Sequence, residues 1–585
     1  MLSLLVLLIG VILVQPSVAM GLPLLDRTDS QRTRVERADD ENFLELLQLS
    51  EQCLFRDARI LMSSQKRPIF ALAVVWAYRT GNNPFYHNES VLEAIVKGGD
   101  ALSGTQNEKG EWEFRTKHGS ISGSFLNPWT YFDWIRAYEI VQNVLPDQTK
   151  NAWKRSLTTG FDRIATSILP KAQPHNIPAM YATALLVAGN VFDNRAWREQ
   201  AHAFMKRVLD AQNSQGYWSE HSGPLVSYNL VYCDAVGIYY AHTKDETARK
   251  CLERAAQFHD RFIYPDDSLV ETIDERNYYD SRKLTYRIGF LFTKAGRSLI
   301  RKLRIRSGDK NMYYAVAANI LLYTKYVNDF AASPTTDSIQ DFRYVTPDGK
   351  ALVIHAKPWF YVVSAYVAPV STSRFILDRQ NHFSIFHDRK GLIVGGGNTK
   401  LQPLWSSITV GDTSLFQYEN SPKPNFIPPK GLQHVASHAS LSIGDKGKSS
   451  AVTLQYMDSS FIIGFSPMDE NTFRIEYSRK PPYREPSQIN ITVIPNVSEP
   501  LLSETGQSRV LDGNNLFWSH DEIGDWIEHR GVRYYLPGQA TVRWPVMPYN
   551  QYSLEGRADI KDARLVIQIP FSPTQNDYSI VIRVR

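Results

Sequence analysis

Two histidines stand in short polar loops, each just ahead of an apolar run: His175 in AQPHNIP (172–178) and His221 in WSEHSGP (218–224). Imidazole changes charge near neutral pH, which suits it to taking and returning a proton. Asn176 follows His175, Glu220 precedes His221, and Tyr228 and Asn229 come shortly after the same loop. Further on, YPDDSLVETIDERNYYDSR (264–282) concentrates Asp274, Glu275, Arg276 and Tyr278, and SGSFLNP (122–128) sets Asn127 ahead of Trp129 and Tyr131. Imidazole and phenol can move protons, while amide and guanidinium groups can hold developing negative charge. The carboxylates Asp133, Glu220, Asp234, Asp274 and Glu275 offer a second chemistry, in which one carboxyl is protonated and its neighbour is ionised.

Each loop also has a plainer explanation. Asn or Ser before a Pro is ordinary helix-start chemistry, because the side chain caps free N–H groups and Pro fits the first turn. On that reading Asn127 is a cap, Trp134 and Tyr138 are core, and DERNYYDSR is a salt-bridged solvated loop. Two features resist it. Histidine is not a favoured cap, yet it occurs in two comparable loops, and Tyr278 and Tyr279 sit among charges that a simple surface loop would not place beside aromatics.

These loops need elements to hold them. From about residue 42 to 332 the pattern is helical. Segment 195–212 places Trp197, Ala201, Phe204, Met205, Val208 and Leu209 on one face behind an Asn194 cap, and segment 246–262 does the same with Ala248, Cys251, Leu252, Ala255 and Phe262 behind Asp245. Segments 128–142, 178–189 and 228–241 are instead apolar nearly all round, as helices enclosed by other helices are. They are expected to begin near Pro128, Pro178 and Pro224, a spacing of roughly fifty residues that matches a helical-hairpin repeat. Alternating enclosed and half-wet helices predict an α/α toroid of five or six hairpins over 41–335. Its inner helices run in one direction, so their leading loops open on one face.

Beyond residue 335 the period becomes two. SAVTLQY (450–456), TFRIEYS (472–478), INITVIP (489–495) and YSIVIRV (578–584) alternate or are β-branched between turn residues. A large antiparallel β-sandwich over 336–585 is expected. Gly395-Gly396-Gly397, in GLIVGGGNTKLQPLW (391–405), has no helix after it, so it reads as a tight turn or bulge rather than a nucleotide loop. The stretch is also a candidate binding surface or cleft wall.

The 585 residues carry a net charge of +5, 43% hydrophobic and 21% charged residues, a globular composition without a basic run suited to nucleic acid. The N-terminus, MLSLLVLLIGVILVQPSVA, is an apolar run followed by a small-residue site. It predicts a signal peptide over 1–19, a flexible polar segment over 20–40, and a secreted or periplasmic mature chain without a membrane span. Cys53, Cys233 and Cys251 fall in helical apolar patterns, which predicts buried thiols; neither they nor the histidines show a metal-binding spacing.

A secreted helical toroid followed by a β-sandwich resembles the α/α-toroid polysaccharide lyases, the alginate, chondroitin and heparinase II/III-like enzymes. WSEHSGP with YN, and VETIDERNYYD, look like segments of secreted bacterial proteins of that group. The resemblance implies β-elimination on an anionic, uronic-acid-containing polysaccharide, without cofactor or metal. Under it, Asn176 and Arg276 neutralise the substrate carboxylate, His221 is the base with His175 its rival, and Tyr228 is the acid. Asn127, Trp129, Tyr131, Glu220, Asn229, Glu275 and Tyr278 are expected to bind substrate. In several such lyases an Asn-His pair supplies neutraliser and base, whereas here the order is His175-Asn176. Two alternatives stay open: a glycoside hydrolase on the same toroid using paired carboxylates, and a non-catalytic carbohydrate-binding protein.

Overall fold

The computed structural model describes residues 38–64, 68–115, 121–307, 312–324, 341–415, 426–444, 450–553 and 555–585. The expected signal peptide, and the 20–40 segment up to residue 37, lie outside the described residues. Helix α1 (Ala38–Ser63) begins inside that segment. It is followed by α2 (Ile69–Ala77), α3 (Glu89–Thr105), α4 (Pro128–Val141), α5 (Asp147–Arg163), α6 (Asn176–Val191), α7 (Arg195–Asp210), α8 (Asn229–Thr243), α9 (Glu246–Arg261), α10 (Ile288–Leu291), α11 (Lys294–Ser307) and α12 (Tyr314–Tyr323).

The even-numbered helices form the inner ring. Each packs on the next, from α2 through α12, and α12 returns to α2. The odd-numbered helices lie outside, and α1 pairs with α12, so the first of the described helices completes the last of six pairs. Composition explains the two rings. α6 and α8 are buried over nearly their whole length, whereas α7 buries Trp197, Ala201, Phe204, Met205, Val208 and Leu209 and leaves its other face wet. The caps Asn194 and Asp245 accept hydrogen bonds from Trp197 N and Thr247 N, as their positions predict.

Two large antiparallel sheets follow. Among the described residues a nine-stranded sheet contains Ser450–Tyr456, Ser459–Pro467, Thr472–Lys480 and the terminal Asp577–Val584; an eleven-stranded sheet contains Ala351–Ala356, Trp359–Ser364, Phe383–His387, Gly391–Val394, Ser487–Val493 and Arg564–Pro570. Their facing side chains share one core, with the Tyr361 and Phe473 rings 5.3 Å apart. The other face of the eleven-stranded sheet packs on the toroid, where Tyr264 stacks on Phe386 at 5.2 Å and contacts Phe360 at 5.4 Å. Trp359–Ser364 is therefore buried on both faces, while Ser450–Tyr456 alternates between core and surface.

The fold is an α/α toroid followed by an antiparallel β-sandwich. α6 starts at Asn176, beside Pro178 as expected. Two expectations need correction. Pro224 does not start a helix: α8 begins at Asn229, because the Asp274 carboxylate accepts from Val226 N (2.9 Å), Ser227 N (3.1 Å) and Ser227 Oγ (3.2 Å) and holds the chain open. Residues 392–401 are buried rather than a binding surface. The triple glycine there has φ of +118°, +107° and +81°, and a Cβ on Gly396 would fall 2.2 Å from Arg564 Nε.

Candidate active site

The loops before α6 and α8 and the segment after α9 meet on one face of the ring. His175 occupies the N-cap position of α6 without capping it. Its Nδ1 lies 2.8 Å from Asn176 Oδ1 and 3.3 Å from Glu220 Oε1. Both oxygens are acceptors, so Nδ1 carries the proton. Asn176 Oδ1 also accepts from Ile177 N at 2.6 Å. Burial moves the His175 pKa down; the Asn176 hydrogen bond opposes this.

Glu220 has a fully buried side chain whose Oε2 accepts from Arg276 Nη1 at 2.7 Å. Burial pushes its pKa up to about 7, while the guanidinium pulls the other way. Arg276 lies over the Tyr228 ring, 4.3 Å from its centroid. The segment holding Arg276 is itself anchored. Asp274 Oδ1 accepts from Arg276 N at 2.8 Å and Asn277 N at 3.2 Å, and Gln551 of the sandwich donates to Arg276 O at 2.5 Å.

His221 differs from the residues around it. Its ring lies 5.9 Å from that of His175, and among the described residues neither of its ring nitrogens has a hydrogen-bond partner. It is exposed on one side and crowded by protein on the other, the placement of a group on a cleft wall. Partial burial, then the positive Arg276, lower its pKa to about 4. It is therefore neutral and able to accept a proton at physiological pH. Tyr228, half-buried, meets the hydroxyl of Tyr552 from the sandwich, and burial raises its pKa. An acceptor imidazole, a guanidinium and a protonated phenol lie on the same face of the ring, a set suited to proton abstraction beside a stabilised anion.

Several expected binding residues are committed elsewhere. Asn229 is buried, with Oδ1 accepting from Trp218 N at 2.6 Å and Nδ2 donating to Trp218 O at 3.0 Å and Leu225 O at 2.6 Å. Tyr131 is buried, and its hydroxyl binds Gly110 O and Gln106 Nε2, both at 2.6 Å. Tyr278 packs against Trp405 at 5.9 Å, its hydroxyl 3.4 Å from Asp562, in the contact between domains. Glu275 is buried between Ser222 N (3.2 Å) and Arg379 Nη2 (3.4 Å), where burial raises its pKa. Asn127 caps α4 through Thr130 N at 3.2 Å. Each of these five side chains thus has a structural partner of its own. Trp129, 51% exposed at the first turn of α4, remains open to solvent.

Tyr552 and Gln551 were not recognised from sequence, and Asp274 read there as a candidate carboxylate rather than as the group that holds the chain before α8 open. Nothing local in YNQYSLEG marks Tyr552; its partner Tyr228 is 324 residues away. Ligand atoms of His175, Glu220 and His221 lie within 4.8 Å of one another, a grouping that sequence spacing does not show. The Arg276 guanidinium, 2.7 Å from Glu220, already supplies the positive charge that a cation would bring there.

No family model matches the chain, and no curated protein matches it. Solved structures do. A heparinase III gene product is 10% identical, over 92% of this chain and 84% of that one, with a TM-score of 0.50. The chondroitin AC lyase of Streptomyces coelicolor A3, in complex with chondroitin sulphate, is 12% identical over 92% and 79%, with a TM-score of 0.49. Another heparinase III structure is 12% identical over 85% and 74%, at 0.49. The likeness to the heparinase III gene product is one of fold and spans nearly the whole described chain.

Proposed function

We propose that this chain is a polysaccharide lyase that cleaves an anionic, uronic-acid-containing polysaccharide by β-elimination. The observation that carries this reading is the contrast at the site's centre. Among the described residues His221 has no hydrogen bond and is neutral, while beside it His175 is bonded to Asn176, and Glu220 to an Arg276 whose guanidinium lies over Tyr228.

The C5 proton of a uronate is weakly acidic until the adjacent carboxylate is neutralised. Asn176 Nδ2 and the remaining donors of Arg276 accept that role, stabilising the enolate-like charge as it forms. His221 removes the C5 proton. The C4–O bond breaks, the C4–C5 double bond forms, and Tyr228 gives its proton to the departing oxygen. General acid–base assistance of this kind is worth about 10²–10⁴ in rate. His175, whose Nδ1–H donates to Asn176 Oδ1, keeps an acceptor at Nε2 and is the rival base; His221 is preferred because its imidazole is the more exposed of the two. The fold shared with structures named as heparinase III supports the same reading.

The hydrolase alternative needs two carboxyls across a bond. Asp133 is paired with Arg136 at 2.6 Å, Asp234 with Arg287 at 2.7 Å, and Glu220, Asp274 and Glu275 are engaged as described above. We also propose that the chain acts outside the cytoplasm, secreted or periplasmic, on the strength of the 1–19 leader; N-terminal sequencing of exported protein tests this. Incubation with chondroitin sulphate, heparan sulfate, hyaluronan and alginate tests the activity. The expected result is the ultraviolet absorbance of a new C4–C5 double bond. New reducing ends without that absorbance would assign a hydrolase instead.

A further inference from the structure

The site is incomplete without the sandwich. A loop around residues 549–553 reaches from the second domain to Tyr228 and Arg276. It is held from both sides: Gln551, buried, donates to Arg276 O, and Arg374 donates to Gln551 O at 3.1 Å and to Ser553 O. Tyr549 is fixed by its N–H to Thr399 Oγ1 at 2.8 Å and by its ring against Phe426 at 5.3 Å. This support leaves Tyr552 41% exposed, its ring 6.3 Å from exposed Phe375 and its hydroxyl on that of Tyr228.

We infer that Tyr552 is a positioning residue for Tyr228 and the route by which the Tyr228 proton is replaced. The inference rests on the elimination reading above. Tyr228 is half-buried under the Arg276 guanidinium. Once it has protonated the leaving oxygen, its phenolate needs a donor that reaches both it and water. Tyr552 meets both conditions, being hydrogen-bonded to Tyr228 and exposed. The balance closes: C5–H and C4–O break, C4=C5 and O–H form, and His221 releases one proton to water. Tyr228 takes the Tyr552 proton, and Tyr552 regains one from water. No oxidant or other reactant is needed. The arrangement also makes the sandwich part of the reaction and not merely a support for the ring.

Tyr552→Phe keeps the ring beside Phe375 and removes the hydroxyl. On the polymer that the wild type cleaves, kcat should fall about 10- to 100-fold with KM within about 2-fold. On a uronate carrying fluoride at C4, a leaving group that needs no proton, the loss should shrink to about 2-fold. Equal activity of Tyr552→Phe and wild type on the polymer would overturn the inference. So would an equal loss on both substrates, which is what a purely structural tyrosine gives. A wild-type chain inactive on every polymer would instead overturn the elimination reading, and this inference with it.

Discussion

The loops before α6 and α8 stand in equivalent places of neighbouring repeats, and each brings one histidine to the same opening, yet the two histidines are used differently. His175 is tied through Nδ1 to Asn176 and Glu220, while His221 has both ring nitrogens free among the described residues. The difference arises in the backbone. The first loop runs directly into its helix, so His175 takes the N-cap position over the ring. The second is held open by Asp274 as far as Tyr228, which lets Glu220 turn inward and leaves His221 at the surface. Residue type admits both as bases, and His175 keeps an acceptor at Nε2 when its Nδ1–H is donated to Asn176, so substitution is what separates them.

The contrast can be broken or sharpened by substitution. The largest effect is expected from His221→Ala, which should lower kcat/KM about 10³-fold, against about 10-fold for His175→Ala. Steady-state rates on one polymer decide it, and the reverse order would exchange their roles. Tyr228→Phe follows with a loss of about 10²-fold in kcat on natural polymer, measured on the same substrate.

Stability separates the residues that hold the site from those that act in it. Asn229→Ala orphans three backbone groups around Trp218 and should cost about 3 kcal/mol in denaturant unfolding. Asn127→Ala removes a helix cap and should cost about 1 kcal/mol. Equal costs would mean that Asn229 is not the structural brace described here.

Two further effects depend on pH. Glu271, buried beside Tyr264 and Gly396 N, has its pKa raised to about 7 by burial. Because the folded value lies above the unfolded one, its contribution is complete below the unfolded pKa and is lost as pH rises through about 7. Glu271→Gln should match wild type near pH 5 and gain on it above pH 7, by on the order of 2 kcal/mol. Thermal unfolding at the two pH values measures the difference. Arg276 lowers the His221 pKa, so Arg276→Gln should raise it from about 4, observed by imidazole titration in NMR.

Much of the toroid was legible because helix periodicity is local. The apolar faces of 195–212 and 246–262 are the buried ones, and the caps Asn194 and Asp245 do what their positions predict. The pairing of α1 with α12 was not legible, since it joins the two ends of the helical domain. The site divides the same way. His175, His221, Arg276 and Tyr228 were visible because polar residues ahead of enclosed helices are conspicuous. Asn229 looked equally available, but its amide is used by the backbone of Trp218, and the true start of α8 depends on a carboxylate about fifty residues later. Tyr552 had no local signal, because its meaning comes from how the sandwich docks.

Elimination at the His221 opening is tested most directly by product mass after cleavage in oxygen-18 water. The expected fragments have unsaturated new non-reducing ends, each cleavage adding no water. Fragments that gain one water per cleavage, carrying the label, would contradict it and assign hydrolysis.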